Sequence, residues 1–205
     1  MGQSRSGMSE LRSERRARIL AATLQLIGRE GAASLSTRKI AGEAGVQLSA
    51  VHHWFGSKDE LILAALEEAT TRMVAALPPP VDTAPELLVA MDETCASLGA
   101  LVDGEARVPL VRCELLLYLR RHPVYAQGAR TQHLRYLAAL ADRYGGTADG
   151  DEHAQACYAF AELVASMVDG MVLHRASLDA GDAGGQPAGR ALRAVTGLPR
   201  NGGLS

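Results

Sequence analysis

Residues Ser36 to Lys58 read STRKIAGEAGVQLSAVHHWFGSK, and the fold turns on them. The Ser36 hydroxyl can accept from the free N–H groups in the first turn of a helix that begins at Thr37-Arg38-Lys39-Ile40-Ala41. That helix must be short, because Gly45 follows Ala44 and supplies a residue that tolerates positive φ. A second short helix is expected from about Gln47 to Trp54. Ser57-Lys58-Asp59-Glu60 is then a capping box, with the carboxylate three residues after the hydroxyl, and it opens another helix. Two short helices joined by a tight glycine turn form a helix-turn-helix, whose second helix enters the major groove of DNA while the first braces on the backbone.

Metal and catalytic readings of VHHWFGSK fail on geometry. Adjacent helical residues point about 100° apart, so His52 and His53 cannot readily share one ion. No ligand-type residue stands at 48, 49, 55 or 56 to complete a site. No nucleophile–base order or carboxylate pair stands out either. No catalytic residue, metal or cofactor is therefore expected. Trp54 and Phe55 are the only aromatics in the first 117 residues. Phe55 is expected to plug a small core against Ile19, Ile40 and Leu61.

Upstream, residues 9–30 carry Ile19, Leu20, Leu24 and Ile27 on one side of a helix that Gly31 ends. With these residues in place, the chain resembles the TetR family of transcriptional regulators. The matching positions are Arg18-Ile19-Leu20, Ala22, Leu26, Gly31, Ser36-Thr37-Arg38-Lys39-Ile40-Ala41, Ala44-Gly45-Val46, Phe55, Ser57, Lys58 and Leu61. They span roughly residues 15–65, in register.

The resemblance implies DNA contacts by residue. Thr37 and Arg38 stand where the family touches phosphate and sometimes a base. Leu48, Ser49, Ala50 and His52 occupy the groove-facing side, His52 replacing the usual tyrosine. Gln47 and His53 flank that side as backbone contacts. Trp54, another departure from the family pattern, can donate its indole N–H to a phosphate. Lys58 matches the family's phosphate-binding lysine, at a helix N-terminus that itself favours phosphate. Ser49 and Ala50 carry little directional hydrogen-bonding code, so the base pattern is not readable.

Beyond the helix through Leu61, Leu63, Leu66 and Met73, Pro78-Pro79-Pro80 breaks the chain. Helical patterns follow at about 84–102, 107–121, 124–144 and 151–177, with a weaker one at 188–197. The fold class is all-α: a three-helix DNA-binding head at 9–56, a linking helix at 57–77, and a larger helical body at 78–198. Residues 1–8 and 199–205 are expected to be disordered. Residues 1–60 hold nine Lys/Arg against six Asp/Glu, and the remainder twelve against seventeen, a mildly basic head on an acidic body. Cys95, Cys113 and Cys157 are odd in number and widely spaced, and read as small hydrophobes in a reducing cytoplasm. No secretory signal is read at the N-terminus, and no apolar run approaches the roughly 18 residues that span a bilayer.

For the body, the resemblance implies a homodimer built on C-terminal helices, and a small-molecule pocket whose occupancy moves two DNA heads. The stretch 151–177 would make a helix roughly 40 Å long. Ala156, Phe160, Leu163, Val164, Met167, Val168, Met171 and Val172 lie on one apolar face. Ala154, Cys157, Ala161 and Ala165 lie on another, so two partners are expected, one of them a second subunit. An apolar effector cavity could be lined by Met91, Cys95, Leu98, Leu116, Tyr118, Leu137, Phe160, Val164 and Met167. Glu114 could anchor a ligand amine or satisfy a helix terminus.

The function expected is a ligand-responsive regulator, a repressor, that binds a palindromic operator as a dimer and is released by an unknown small molecule. The alternative is an architectural DNA-binding protein without an effector, against which a body of about 120 residues argues.

Overall fold

The computed structural model of the chain describes residues 3–80, 87–104, 106–145 and 151–177. Among these residues every regular element is helical, in agreement with the all-α expectation. The weaker helical pattern at 188–197 and the tail at 199–205 lie outside the described residues.

Helix α1 runs Gln3–Glu30, so residues 3–8, expected to be disordered, instead extend the first helix, and a single 3-10 turn follows at Ala32–Ser34. Helix α2 is Thr37–Ala44, α3 is Leu48–Phe55, and α4 is Lys58–Ala75. The expected local signals are in place, except that the capping box at Ser57 is formed only in its hydroxyl half, the Ser57 N–H going to the Phe55 carbonyl. Ser36 Oγ accepts from the Lys39 N–H at 3.2 Å, and Gly45 closes α2 in the left-handed region at φ 61°. Ser57 Oγ accepts from the Glu60 N–H at 3.1 Å. Such a cap is worth about 1 kcal/mol to a helix whose first N–H groups have no internal partner. The remaining helices are α5 (Leu87–Asp103), α6 (Val108–Arg120), α7 (Pro123–Arg143) and α8 (Asp151–Ser177).

The chain divides into two compact units, Met1–Met73 with Asp103–Arg135, and Val74–Val102 with Tyr136–Ser205. In the first, Ile19, Leu20, Leu24 and Ile27 of α1 are buried, as are Ile40, Val51, Phe55 and Leu61. This is the core expected of a three-helix head, and α6 is counted with it. The sequence boundary at residue 78 cannot express that, because a chain cut assigns α6 to the body.

In the second unit, Met91, Cys95 and Leu98 of α5 are buried, as are Leu137 and Leu140 of α7 and Val164 and Val168 of α8. Arg143, only 2% exposed, lies among them. Its guanidinium donates to Thr94 Oγ1 at 3.0 Å and to the Ala90 carbonyl at 3.3 Å, and meets Glu93 at 3.0 Å. A buried cation is tolerated when a carboxylate and further acceptors face it, and Nε and Nη2 are satisfied in this way, while Nη1 is not.

Helix α8 corrects two expectations. Glu152–Ser177 is long and apolar enough to cross a membrane by length and composition, with a mean hydropathy of 1.5. No unbroken apolar run marks it in the sequence, because isolated charges such as Glu162 and Asp169 interrupt the run without lowering the mean far. The core helix of a globular protein meets the same test, and Cys157, Ala161, Val164, Ala165, Val168 and Val172 are buried.

The faces of α8 also fall differently. The small residues and the valines are buried together, whereas Ala156, Ala159, Leu163, Ser166, Gly170 and Leu173 form the exposed side. The cause is rotational. Cys157, Ala161 and Val164 are separated by four and three positions and so share one side of the helix, not two.

Candidate nucleic-acid interface

The helix-turn-helix is braced by α1. Arg18 Nη2 donates to the Ala44 carbonyl at 2.7 Å and to the Gly45 carbonyl at 3.3 Å. A cation on the last carbonyls of α2 complements the negative end of that helix and fixes the turn that aims α3. Two exposed ion pairs add to the brace, Arg29–Glu43 at 2.8 Å and Lys39–Glu30 at 2.8 Å. The Lys39 hydrogen bond and charge hold the Glu30 carboxyl below its ordinary range, and the Arg29 hydrogen bond does the same for Glu43. Arg16 lies over the Phe55 ring at 5.6 Å, covering the aromatic plug from the α1 side.

Helix α3 is divided by burial. Val51 and Phe55 point inward, at 1% and 5% exposure. Gln47, Leu48, Ser49, His52 and His53 are exposed, and Ala50 and Trp54 are half-buried. Gln47 is the N-cap residue yet makes no side-chain capping bond. The His53 and Trp54 rings meet edge to face at 5.8 Å. On α2, Arg38 is exposed and Thr37 half-buried, and Lys58 at the start of α4 is half-buried. The ten residues singled out as DNA contacts therefore occupy three consecutive helices, with at least part of each accessible. The surface offers hydrogen-bond donors and acceptors of modest reach at α3, with cations at Arg38 and Lys58 beside it.

Sequence reasoning missed a set of contacts from α6 and the start of α7. Glu114 Oε1 accepts from the Ala32 N–H at 2.6 Å, satisfying the start of the 3-10 turn. Of the two roles weighed for Glu114, this is the helix-terminus role. The Tyr118 hydroxyl donates to Asp59 Oδ1 at 3.1 Å, and His122 Nδ1 lies 4.0 Å from Asp59 Oδ2. Ser57 Oγ and the Tyr125 hydroxyl are 3.5 Å apart. Glu114, Tyr118 and His122 recur every fourth residue, the one signal in the sequence that places them on a common face.

Leu116, half-buried on α6, falls in the first unit with Glu114 and Tyr118, against expectation, and the other residues expected around an effector fall in the second unit. Met91, Cys95, Leu98, Leu137 and Val164 are buried there, and Phe160 and Met167 are half-buried. Tyr144 stacks edge-on against Phe160 at 4.9 Å. Burial, with a smaller contribution from Asp92, pushes the Cys95 thiol up to about 11. In the first unit a polar cleft of about 350 Å³ is lined by Arg16, Glu67, Thr71, Gln132 and Arg135, among others. Among the described residues no group of three or more His, Cys, Asp or Glu side chains could hold a metal ion.

A braced helix-turn-helix whose second helix shows its polar side to solvent defines a DNA-binding regulatory protein. Residues 19–65 match the family described as bacterial regulatory proteins, tetR family. The nicotine-responsive transcriptional repressor HdnoR of Paenarthrobacter nicotinovorans is 30% identical over 123 residues, covering 60% of this chain and 63% of that protein. A solved transcriptional regulator from Streptomyces coelicolor A3(2) is 30% identical over 89% of this chain and 96% of its own, with a TM-score of 0.56. The multidrug binding protein EbrR, solved with imidazole, is 26% identical over 93% of both chains, with a TM-score of 0.61. The chain belongs to the TetR family and is a transcriptional regulator of that type.

Proposed function

We propose that the protein is a repressor that binds a palindromic DNA operator as a homodimer and leaves it when a small organic molecule binds. The observation that carries the DNA reading is the division of α3, with Val51 and Phe55 buried while Ser49, His52 and His53 stand free of the core. Thr37, Arg38, Gln47, His53, Trp54 and Lys58 contact the backbone, and Leu48, Ser49, Ala50 and His52 meet base edges. Phosphate contacts set register, and the few base contacts carry specificity.

The exposed side of α8 supports the dimer. Ala156, Ala159, Leu163, Ser166, Gly170 and Leu173 are spaced alternately by three and four residues, the period of a helix seam. Leu163 and Leu173 are 54% and 55% exposed, a cost in water that a second α8 would relieve. A two-fold dimer would set paired recognition helices about 34–36 Å apart, one DNA turn.

The effector is best accommodated by the apolar interior of the second unit, around Met91, Cys95, Leu98, Leu137, Phe160, Val164 and Met167. That HdnoR is described as nicotine-responsive and EbrR as multidrug binding supports a small organic ligand. An effector can act only through unequal affinity for the DNA-competent and incompetent forms. The testing experiment is a selection of random duplex DNA on the purified protein, followed by sequencing. An enriched palindrome is expected, and a library left without enrichment would remove the operator-binding reading. The alternative, an architectural DNA protein, would bind duplexes regardless of sequence.

A further inference from the structure

Helix α4 begins with a charge conflict. Lys58 is the proposed phosphate contact, and Asp59 and Glu60 stand next to it in the same first turn. Acidic residues there complement the positive end of the helix. A carboxylate free to swing toward the DNA would, however, neutralise the ammonium beside it and repel the phosphate. The structure shows Asp59 held elsewhere. One oxygen accepts from the Tyr118 hydroxyl of α6 at 3.1 Å, and the other faces Nδ1 of His122, in the turn after α6, at 4.0 Å, beyond hydrogen-bond distance.

The two holding groups are themselves fixed. The Tyr118 and His122 rings stack, with centroids 4.6 Å apart and planes 28° from parallel. Four residues before Tyr118, Glu114 ties the same face of α6 to the Ala32 N–H. The Lys58 ammonium lies 6.0 Å from the centre of the Tyr118 ring, within the range at which a cation is drawn to an aromatic face. Burial first, and then Asp59, raise the Tyr118 hydroxyl above the ordinary tyrosine range, so it remains a proton donor at neutral pH. Ser57 at the cap and Tyr125 at the start of α7 are 3.5 Å apart, a further link on the same side.

We infer that Tyr118 and His122 are positioning residues for DNA binding: together they turn the Asp59 carboxylate toward α6 and keep it from pairing with the neighbouring Lys58 ammonium, which the Tyr118 ring faces and a phosphate can then take. The inference rests on Lys58 being a phosphate contact, and it assigns α6 a task separate from any effector. It also explains why a chain with so few lysines tolerates two carboxylates immediately after one of them.

The experiment is a double-mutant cycle on the full chain, read as affinity for a short random-sequence duplex across a range of salt concentrations. Tyr118→Phe retains the ring and removes only the hydroxyl. In the wild-type background it is expected to weaken binding about threefold to tenfold, less than the full worth of a hydrogen bond to a charged group, because the loss reaches the phosphate only through Asp59 and Lys58. In an Asp59→Asn background the same change is expected to have almost no effect, since no carboxylate remains to be held. His122→Ala should behave in the same way, with a smaller loss. Equal weakening in both backgrounds would show that Tyr118 acts through packing, and unchanged affinity in the wild-type background would show that it does nothing for DNA. Either result overturns the inference. Lys58→Ala separates this failure from that of the underlying reading. If Lys58→Ala leaves both affinity and salt slope unaltered, Lys58 is not a phosphate contact and the positioning role falls with it.

Discussion

Gly28 stands where a β-carbon would lie 2.8 Å from the Ala106 carbonyl oxygen and 3.6 Å from the Val111 side chain. Backbone cannot yield as a flexible side-chain tip can, so Gly28→Ala should force α1 from the segment that enters α6. The expected cost is about 1–3 kcal/mol, in the range of overpacked cores, read as a lower urea midpoint. An unchanged midpoint would mean that α1 and this segment can separate without cost. Arg107 is the converse case. It is the one described non-glycine residue with positive φ, at 46°, and it is exposed. Arg107→Gly should stabilise by about 1 kcal/mol, since a side chain in the left-handed region costs roughly that much; a lower midpoint would contradict it. Cys95 offers a chemical test. Buried and raised to about 11, its thiol is protonated at neutral pH and should resist alkylation until the protein unfolds. Rapid labelling of native protein at Cys95 would show that α5 opens readily.

At the scale of the helix, α8 carries the clearest consequence. Its buried side is complete within its own unit, and its exposed side has the three-and-four spacing of a seam. Leu163→Glu places a charge at the middle of that seam without touching the core. The expected outcome is a monomer by sedimentation with the helical signal retained, and operator binding lost with the dimer. A variant still dimeric would place the interface elsewhere. The helix-turn-helix itself was legible because its determinants are local: Ser36, Gly45 and Ser57 each act within three or four residues of their own positions. The faces of α8 were not legible, since a helix apolar on much of its circumference gives no signal of which part its own chain will cover.

Over the whole molecule, pH and salt act through the brace between α1 and α2. The Glu30 and Glu43 carboxyls are lowered, so the stability they contribute is present above the ordinary glutamate range and lost as pH falls through the folded values. Both pairs are exposed, so high salt should reduce this acid sensitivity. Thermal midpoints measured on either side of pH 4.5, at low and high salt, check the sign; a midpoint rising on acidification would refute it.

The sequence by itself determined the helices of the head, the side of α3 that faces outward, and the family. The helices follow from neighbours in the chain, through caps, a left-handed glycine and a 3.6-residue period, and the side of α3 and the family follow from the resemblance of residues 15–65. Only the tertiary structure decided that α6 belongs with the head. The Glu114–Ala32 and Tyr118–Asp59 contacts join residues 82 and 59 positions apart. No local pattern encodes such a pairing, because it exists only once packing has fixed how the helices lie against one another.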